Sequence, residues 1–321
     1  GSDLSGEGSY CPSMLRFGSR ALALLATSLL GCACANPVIA KRLPPTAQLP
    51  YAFDQHRVIE ILPASTAAIL EVTYNQRNIE YLLEGTKRAL LLDSGPGKQK
   101  MAPVIAALTD LPVTVVPSHL HFDHVGGLGE FADVALIDAE DLRERTVAGV
   151  FTPTPTEHLG WMDRDPLQAI RIARWLQPGA QIDLGERTVE VLLTPGHTKT
   201  SVMLYDPAMP ALFTGDFLYP GGLFVESLEQ YRTTLAMLLR RMPKNVTIYP
   251  AHNTRARKTP TFAYRDLDDL HTAVCAALDG SIEGKPSNAF GIPATAYPVN
   301  QRLHMFVLKW PRKPDDSKTG Q

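Results

Sequence analysis

Four side chains able to bind a divalent cation fall at His119, His121, Asp123 and His124, directly after the apolar run Val113–Val116. Imidazoles and carboxylates at this density cannot be buried without partners, because each one desolvated alone is costly. The segment therefore belongs on a loop leaving a strand, where a sheet holds the backbone and a turn aims alternate side chains at two neighbouring points. A single ion would be crowded, since a catalytic zinc uses about three protein ligands and keeps one position open. Two ions need more ligands, and the chain offers them after later apolar runs: His197 in Thr194-Pro-Gly-His197, Asp216 in Thr214-Gly-Asp216 and His252 in Tyr249-Pro-Ala-His252. A histidine outside such a cluster is more often solvated or packed, and that plain reading applies to His56, His158, His271 and His304.

The rest of the chain predicts the scaffold for this loop. Val58–Leu62, Ala67–Tyr74, Ile79–Leu83 and Ala89–Leu92 are short β-branched and apolar runs separated by turn residues, which predicts a meander. Met101–Leu108 has helical spacing and Val113–Val116 is a buried strand. The second half repeats the idea with strands at Thr188–Leu193, Val202–Tyr205, Ala211–Phe213 and Val246–Tyr249, and a helix over Glu226–Arg241. Helical spacing returns at Leu267–Leu278, and Leu303–Leu308 reads as a last strand. This alternation predicts an α/β (α+β) architecture of two sheets packed face to face with helices outside, in one catalytic domain over 51–310. In the region 139–177, prolines interrupt any long period while Phe151, Trp161 and Trp175 supply apolar surface, so a lid or pocket wall and an external helical excursion both fit.

Upstream, residues 1–13 read as an expression scar or an extension, and Met14-Leu-Arg-Phe-Gly-Ser-Arg20 followed by the apolar Ala21–Leu30 reads as an export signal over 14–35. Two processing readings stand: Leu29-Leu-Gly-Cys32 resembles a lipoprotein box with Cys32 as lipid anchor, and Ala33-Cys-Ala35 fits ordinary signal peptidase. Either predicts a periplasmic or secreted protein. A Pro- and Ala-rich tether spans 36–50, and 311–321 is a polar, frayed tail. Cys275 is the single cysteine in the globular part, so no disulfide framework is expected, and its helical apolar context suggests a buried, inert thiol. The net charge of -2 is unblocked, and Arg255, Arg257 and Lys258 are too few for a nucleic-acid surface, leaving a small molecule as the expected partner.

The His-X-His-X-Asp-His pattern, the Thr-Pro-Gly-His, the Thr-Gly-Asp and the late His resemble the metallo-β-lactamase-fold hydrolase superfamily over roughly Tyr51–His252. The resemblance implies a four-layer αββα sandwich. It also implies that His119, His121 and His197 hold one ion, that Asp123, His124 and His252 hold the other, and that Asp216 bridges them. Asp93, in Leu91-Leu-Asp-Ser-Gly95, matches an acidic position that supports such sites from behind. Two zinc ions are implied, although the same donors accept iron or manganese. Two cations about 3.5 to 4 Å apart acidify a shared water from a pKa of 15.7 to about 7 and polarise a carbonyl, so no serine or cysteine nucleophile is required. Asp123 or Asp216 would relay the proton to the leaving group.

Within that superfamily, Asp216 resembles the bridging residue of the glyoxalase II, lactonase and phosphodiesterase branches, and the spacing of Tyr219 from it is similar to acyl-homoserine lactonases, with Tyr219 as an oxyanion helper. A packed aromatic is the equal alternative for Tyr219. A lactone or ester-type carbonyl is the first expectation. β-Lactam hydrolysis comes next, then phosphodiester or thioester cleavage, with a metal-binding protein lacking turnover last. Glutathione thioesters rank low because the chain after His252 shows one convincing helical stretch and a final strand. Phe122, Phe151, Trp161, Tyr219 and Phe224 are the expected pocket walls.

Overall fold

The β-branched runs of the first half form a meander because each is short, apolar and ended by a turn. In the computed structural model, which describes residues 51–254 and 257–310, it comprises β1 (Tyr51–Ala52), β2 (Arg57–Leu62), β3 (Thr66–Glu71), β4 (Ile79–Glu84) and β5 (Ala89–Leu92). Neighbours pair antiparallel in sequence order. Helix α1 (Ala102–Leu108) then crosses over, and β6 (Val113–Val116) adds parallel to β5. The export-like segment, the tether, the tail and Arg255 lie outside the described residues.

Between the halves, the region 139–177 and its flanks form small ladders and single-turn helices. Strand β7 (Ala135–Ile137) pairs with β10 (Arg174–Leu176), and β8 (Val150–Phe151) pairs with β9 (Ile170–Arg171). Helices α2 (Phe122–Val125), α3 (Glu140–Glu144) and α4 (Pro155–His158) are four or five residues long, so the long helical excursion is not formed. Helix α4 opens on Pro155 behind a Thr154–Glu157 capping box and stops where Leu159 takes a left-handed conformation at φ +55°.

The second half repeats the plan of the first. Strands β11 (Gln181–Asp183), β12 (Thr188–Leu193), β13 (Val202–Asp206) and β14 (Ala211–Phe213) form an antiparallel meander. After β15 (Gly221–Val225), helix α5 (Leu228–Arg241) leads to β16 (Thr247–Tyr249), parallel to β14, and β17 (Phe262–Ala263) closes the edge. Helix α5 starts later than Glu226 because the Ser227 hydroxyl accepts the Gln230 N–H and caps it. After α6 (Tyr264–Asp279), strands β18 (Lys285–Ala289), β19 (Ile292–Pro298) and β20 (Leu303–Leu308) join β15 in a separate sheet ordered β15-β20-β19-β18.

The alternation of side chains across a strand separates the layers. Val191, Val202, Leu204 and Phe213 point into a core shared with the first sheet, whereas their neighbours Leu192, Met203 and Leu212 point into a core shared with α5 and α6. Tyr81 of the first sheet meets Phe213 of the second at 4.9 Å between ring centroids. A buried clamp ties the sheets: Arg187 meets Asp206 at 2.8 Å and also donates to Thr66 Oγ1 at 2.8 Å and to the Glu84 carbonyl at 3.0 Å.

Candidate metal centre

The repeat delivers the candidate ligands to one end of the sheets. Asp93 follows β5 as Asp216 follows β14, and the His119 loop follows β6 as His252 follows β16. His121 is the N-cap residue of α2, which places Asp123 and His124 in that helix's single turn. Two motif glycines make room for ligand loops. Gly196, with φ +142°, passes so close to Tyr231 that an added Cβ would lie 2.8 Å from its Cα, and Gly215, with φ +53°, would meet the Ser118 Cβ at 2.6 Å. Any side chain there would displace His197 or Asp216.

All seven candidate ligands are buried, none more than 8% exposed, and they converge as two groups. His119, His121 and His197, with Asp216, form one; Asp123, His124 and His252 form the other. His119 Nε2 lies 2.8 Å from His121 Nδ1, and His197 Nε2 lies 3.2 Å from each of those atoms. In the second group His124 Nε2 is 3.4 Å and His252 Nε2 3.5 Å from Asp123 Oδ2. Asp216 reaches into both: its carboxylate is 3.0 Å from His252, 3.3 Å from His124 and 3.8 Å from His197.

The back of each ring decides what its front can do. His197 Nδ1 faces the Phe224 carbonyl at 2.8 Å and His252 Nδ1 the Gln76 carbonyl at 2.9 Å. A carbonyl only accepts, so both Nδ1 atoms carry the hydrogen. His124 Nδ1 donates to Asp93 Oδ2 at 2.9 Å, and Ser118 Oγ, which donates to the same carboxylate, accepts from His119 Nδ1. Four rings thus turn their Nε2 atoms inward, the orientation metal-ligating histidines take from such partners.

These residues fit a pair of divalent cations. Ring nitrogens ~3.3 Å apart are the spacing of ligands around a tetrahedral zinc with bonds of ~2.0–2.1 Å. His124 Nε2 and Asp216 Oδ1 are buried without a hydrogen-bond partner among the described residues. Burial is the largest influence on His119, His121 and His197 and pushes all three down, His121 to about 3, which leaves their lone pairs available. At His124 burial also opposes charge, but Asp123, Asp216 and Asp93 outweigh it and hold the ring up; Asp216 and Asp123 do the same for His252. The carboxylates favour positive charge at this point, and a cation bound by the same atoms would supply it.

Asp93 is itself placed by its backbone. It sits at φ +65°, a left-handed conformation that aspartate tolerates better than most residues, and its Oδ1 accepts the Ser118 N–H at 2.6 Å. Replacing Asp93 with asparagine keeps that conformation but removes the charge behind His124. The expected result is a metal affinity lower by about 10–100-fold, measured by chelator competition; unchanged affinity would show that Asp93 serves folding alone.

Behind Asp93, the same face of the sheet carries Glu80, Glu71 and Arg57. Arg57 pairs opposite Glu71 across the ladder with its Nε 3.6 Å from the carboxylate, and neither Glu80 oxygen has a hydrogen-bond partner among the described residues. Burial raises Glu71 to about 7 despite Arg57, and raises Glu80 as well. A carboxyl raised above its unfolded value contributes stability that is full below pH ~4.5 and is lost as pH rises through about 7. Glu71 should therefore lower the thermal midpoint as pH rises from 5 to 8. Glu71→Gln should flatten that fall, and equal slopes for the two proteins would refute the assignment.

The two ligand groups form the floor of a cavity of about 400 Å³. Phe122, Tyr219 and Phe224 line it as expected, joined by Leu159 and Met162 from the 139–177 region. Phe151 and Trp161 do not. Phe151 is fully buried beneath Arg145, and Trp161 is half exposed to solvent. Tyr219 lies edge-on to His252 at 5.2 Å between centroids, and its hydroxyl donates to the Gly222 carbonyl at 2.7 Å. The sequence reading omits Asn78, whose amide donates to both the carbonyl and the carboxylate of Asp123, and takes His304 for a solvated or packed residue, whereas it stands on the cavity wall. The alternation of Leu303–Leu308 carried the signal for His304; for Asn78 the sequence held none. Cys275, expected to be buried, is half-buried beside His271.

Paired imidazole and carboxylate groups at strand ends of a two-sheet sandwich form a candidate two-metal site. A sequence profile of the Metallo-beta-lactamase superfamily matches residues 81–252, and the chain belongs to that superfamily. Acyl-coenzyme A thioesterase MBLAC2 from Homo sapiens is 32% identical over 211 residues, covering 56% of this chain and 73% of that protein. A hydroxyacylglutathione hydrolase from Cyanothece sp. is 32% identical over 161 residues, 47% of this chain and 55% of its own length. Among solved structures, a metallo-beta-lactamase from Pontibacter korlensis superposes with a TM-score of 0.51 at 18% identity, covering 68% of this chain and 99% of that one.

Proposed function

We propose that this chain hydrolyses an acyl bond, a thioester, lactone or ester, at a two-metal centre on the cavity floor. The observation that carries the reading is the pair of convergent ligand groups beneath an apolar cavity whose described lining contains no serine or cysteine. Relatives named for acyl-coenzyme A and hydroxyacylglutathione hydrolysis support thioesters alongside the lactones that sequence reasoning ranks first. All these substrates present a carbonyl with an adjacent heteroatom leaving group. The export-like sequence over 14–35 supports a substrate met outside the cytoplasm.

Two divalent cations, zinc foremost, would supply an acidified water and polarise the acyl carbonyl. His119, His121 and His197 would hold one, Asp123, His124 and His252 the other, with Asp216 between them. The chain's own groups do the remaining work. Carbonyl and carboxylate partners behind the rings keep the nitrogen donors in place, so little reorganisation is needed during reaction. Asp123 and Asp216, both held ionised by the imidazoles against the cost of burial, are the groups able to take a proton and pass it to the departing heteroatom. Tyr219 would turn its hydroxyl from the Gly222 carbonyl to the developing oxyanion, giving up one neutral hydrogen bond worth about 1 kcal/mol.

The test is hydrolysis of an acyl thioester, an acyl-homoserine lactone, an aryl ester, nitrocefin and bis-nitrophenyl phosphate before and after chelation. Chelator-sensitive turnover led by the thioester or the lactone is expected. Nitrocefin at the head of the panel would replace the reading with β-lactam hydrolysis, and no turnover by protein carrying two metals would reject it. A kcat loss in Tyr219→Phe without a matching loss of stability would support the oxyanion role.

A further inference from the structure

We propose that the sheet β15-β20-β19-β18 is an acyl-binding shelf, and that the chain selects substrates by the acyl group rather than by the carrier. This rests on the acyl-hydrolase reading above. One face of the sheet, Leu223, Val225, Leu303 and Met305, packs into the core against α5 and α6. The alternate residues Gly222, Phe224, His304, Phe306 and Leu308 face the cavity. Phe224 and Phe306, paired across the ladder, stack at 5.8 Å between centroids, with His304 against Phe306 at 5.0 Å. Gly222 admits those rings, because a Cβ there would lie 2.5 Å from Phe306. The shelf begins at the metal ligands, since the backbone carbonyl of Phe224 is the partner of His197.

The hairpin tip of this sheet breaks a local rule. Phe290 and Gly291 join β18 to β19 at φ +50° and +87°, positions where asparagine or glycine is favoured and a bulky residue is strained. Phe290 is nevertheless present, 57% exposed, with its ring 5.3 Å from that of Phe224 on the cavity wall. Strain and an uncovered aromatic together fit a residue that packs on an apolar occupant. Phe122, Leu159 and Met162, from elements outside this sheet, add further apolar lining. Among the described lining residues there is no lysine or arginine, and Glu226 is present, so no Lys or Arg side chain of that lining pairs with the phosphates or carboxylates of a carrier.

The test is a series of acetyl, butyryl, hexanoyl and octanoyl substrates on coenzyme A, on N-acetylcysteamine and on homoserine lactone. In all three series kcat/KM should rise by roughly fourfold per methylene, and Phe290→Ala and Phe306→Ala should flatten that slope. Turnover that ignores chain length, or a slope kept by both variants, overturns the shelf and leaves the hydrolase standing. Slopes that differ between carriers overturn selection by the acyl group. Decanoate binding followed by calorimetry, with and without metal, decides the shelf independently of catalysis. Saturable binding weakened roughly tenfold by Phe306→Ala supports it, and no binding overturns it even if every substrate fails, a failure that would fall on the hydrolase reading.

Discussion

Asp216→Asn is expected to reduce bound metal from two equivalents to about one and to lower kcat by at least ~10³-fold. Asparagine preserves the shape of the side chain but offers one carbonyl oxygen and an amide that repels a cation. The carboxylate of Asp216 touches His252 and His124 and approaches His197, so its charge serves both ligand groups at once. His252 and His124 overcome burial to keep it well below the usual carboxylate range. Removing it therefore leaves imidazoles facing one another across a buried space with one negative charge fewer. Metal analysis of the purified variant, with kcat on the best substrate, checks this; two retained equivalents with unimpaired turnover would overturn the bridging role.

Asp206→Asn is expected to act on stability instead. Asp206, on the second sheet, is fully buried and is the charged partner of Arg187, itself buried and joined by further hydrogen bonds to Thr66 and Glu84 of the first sheet. Breaking one side of a buried pair strands the other charge and costs about 3–5 kcal/mol. For a domain of this size that lowers the melting temperature by roughly 6–20 °C. The double variant Asp206→Asn, Arg187→Met should recover much of the loss, because no uncompensated charge remains. A single variant that melts with the wild type would show that the pair contributes nothing net.

Much of the scaffold was legible because its strands are short, apolar and separated by turns. Strands β5, β6, β12 and β14 fall on their predicted residues, and α5 differs at its start because Ser227 caps it. The sheet β15-β20-β19-β18 was not legible as a sheet. Strand β15 opens on two glycines, β18 carries Pro286, and the hairpin turns on Phe290-Gly291 instead of an Asn-Gly signal. Its parallel pairing of β15 with β20 joins segments far apart in the chain, which no local pattern encodes. Phe151 misled for a related reason: an aromatic in a proline-rich stretch reads the same whether it covers a pocket or fills a core.

By itself the sequence determined the candidate donor set and the plan of the scaffold. Ligand-bearing residues stand at the ends of predicted strands, and each imidazole or carboxylate carries its donor type wherever it is placed. Which nitrogen of each ring faces inward, and what holds it, was decided by the tertiary structure alone. His197 is oriented by the Phe224 carbonyl, His252 by that of Gln76 and His124 by Asp93, partners brought together by the packing of two sheets. The walls of the cavity were decided in the same way, because a side chain's depth depends on what packs over it, and that is a property of the assembled layers.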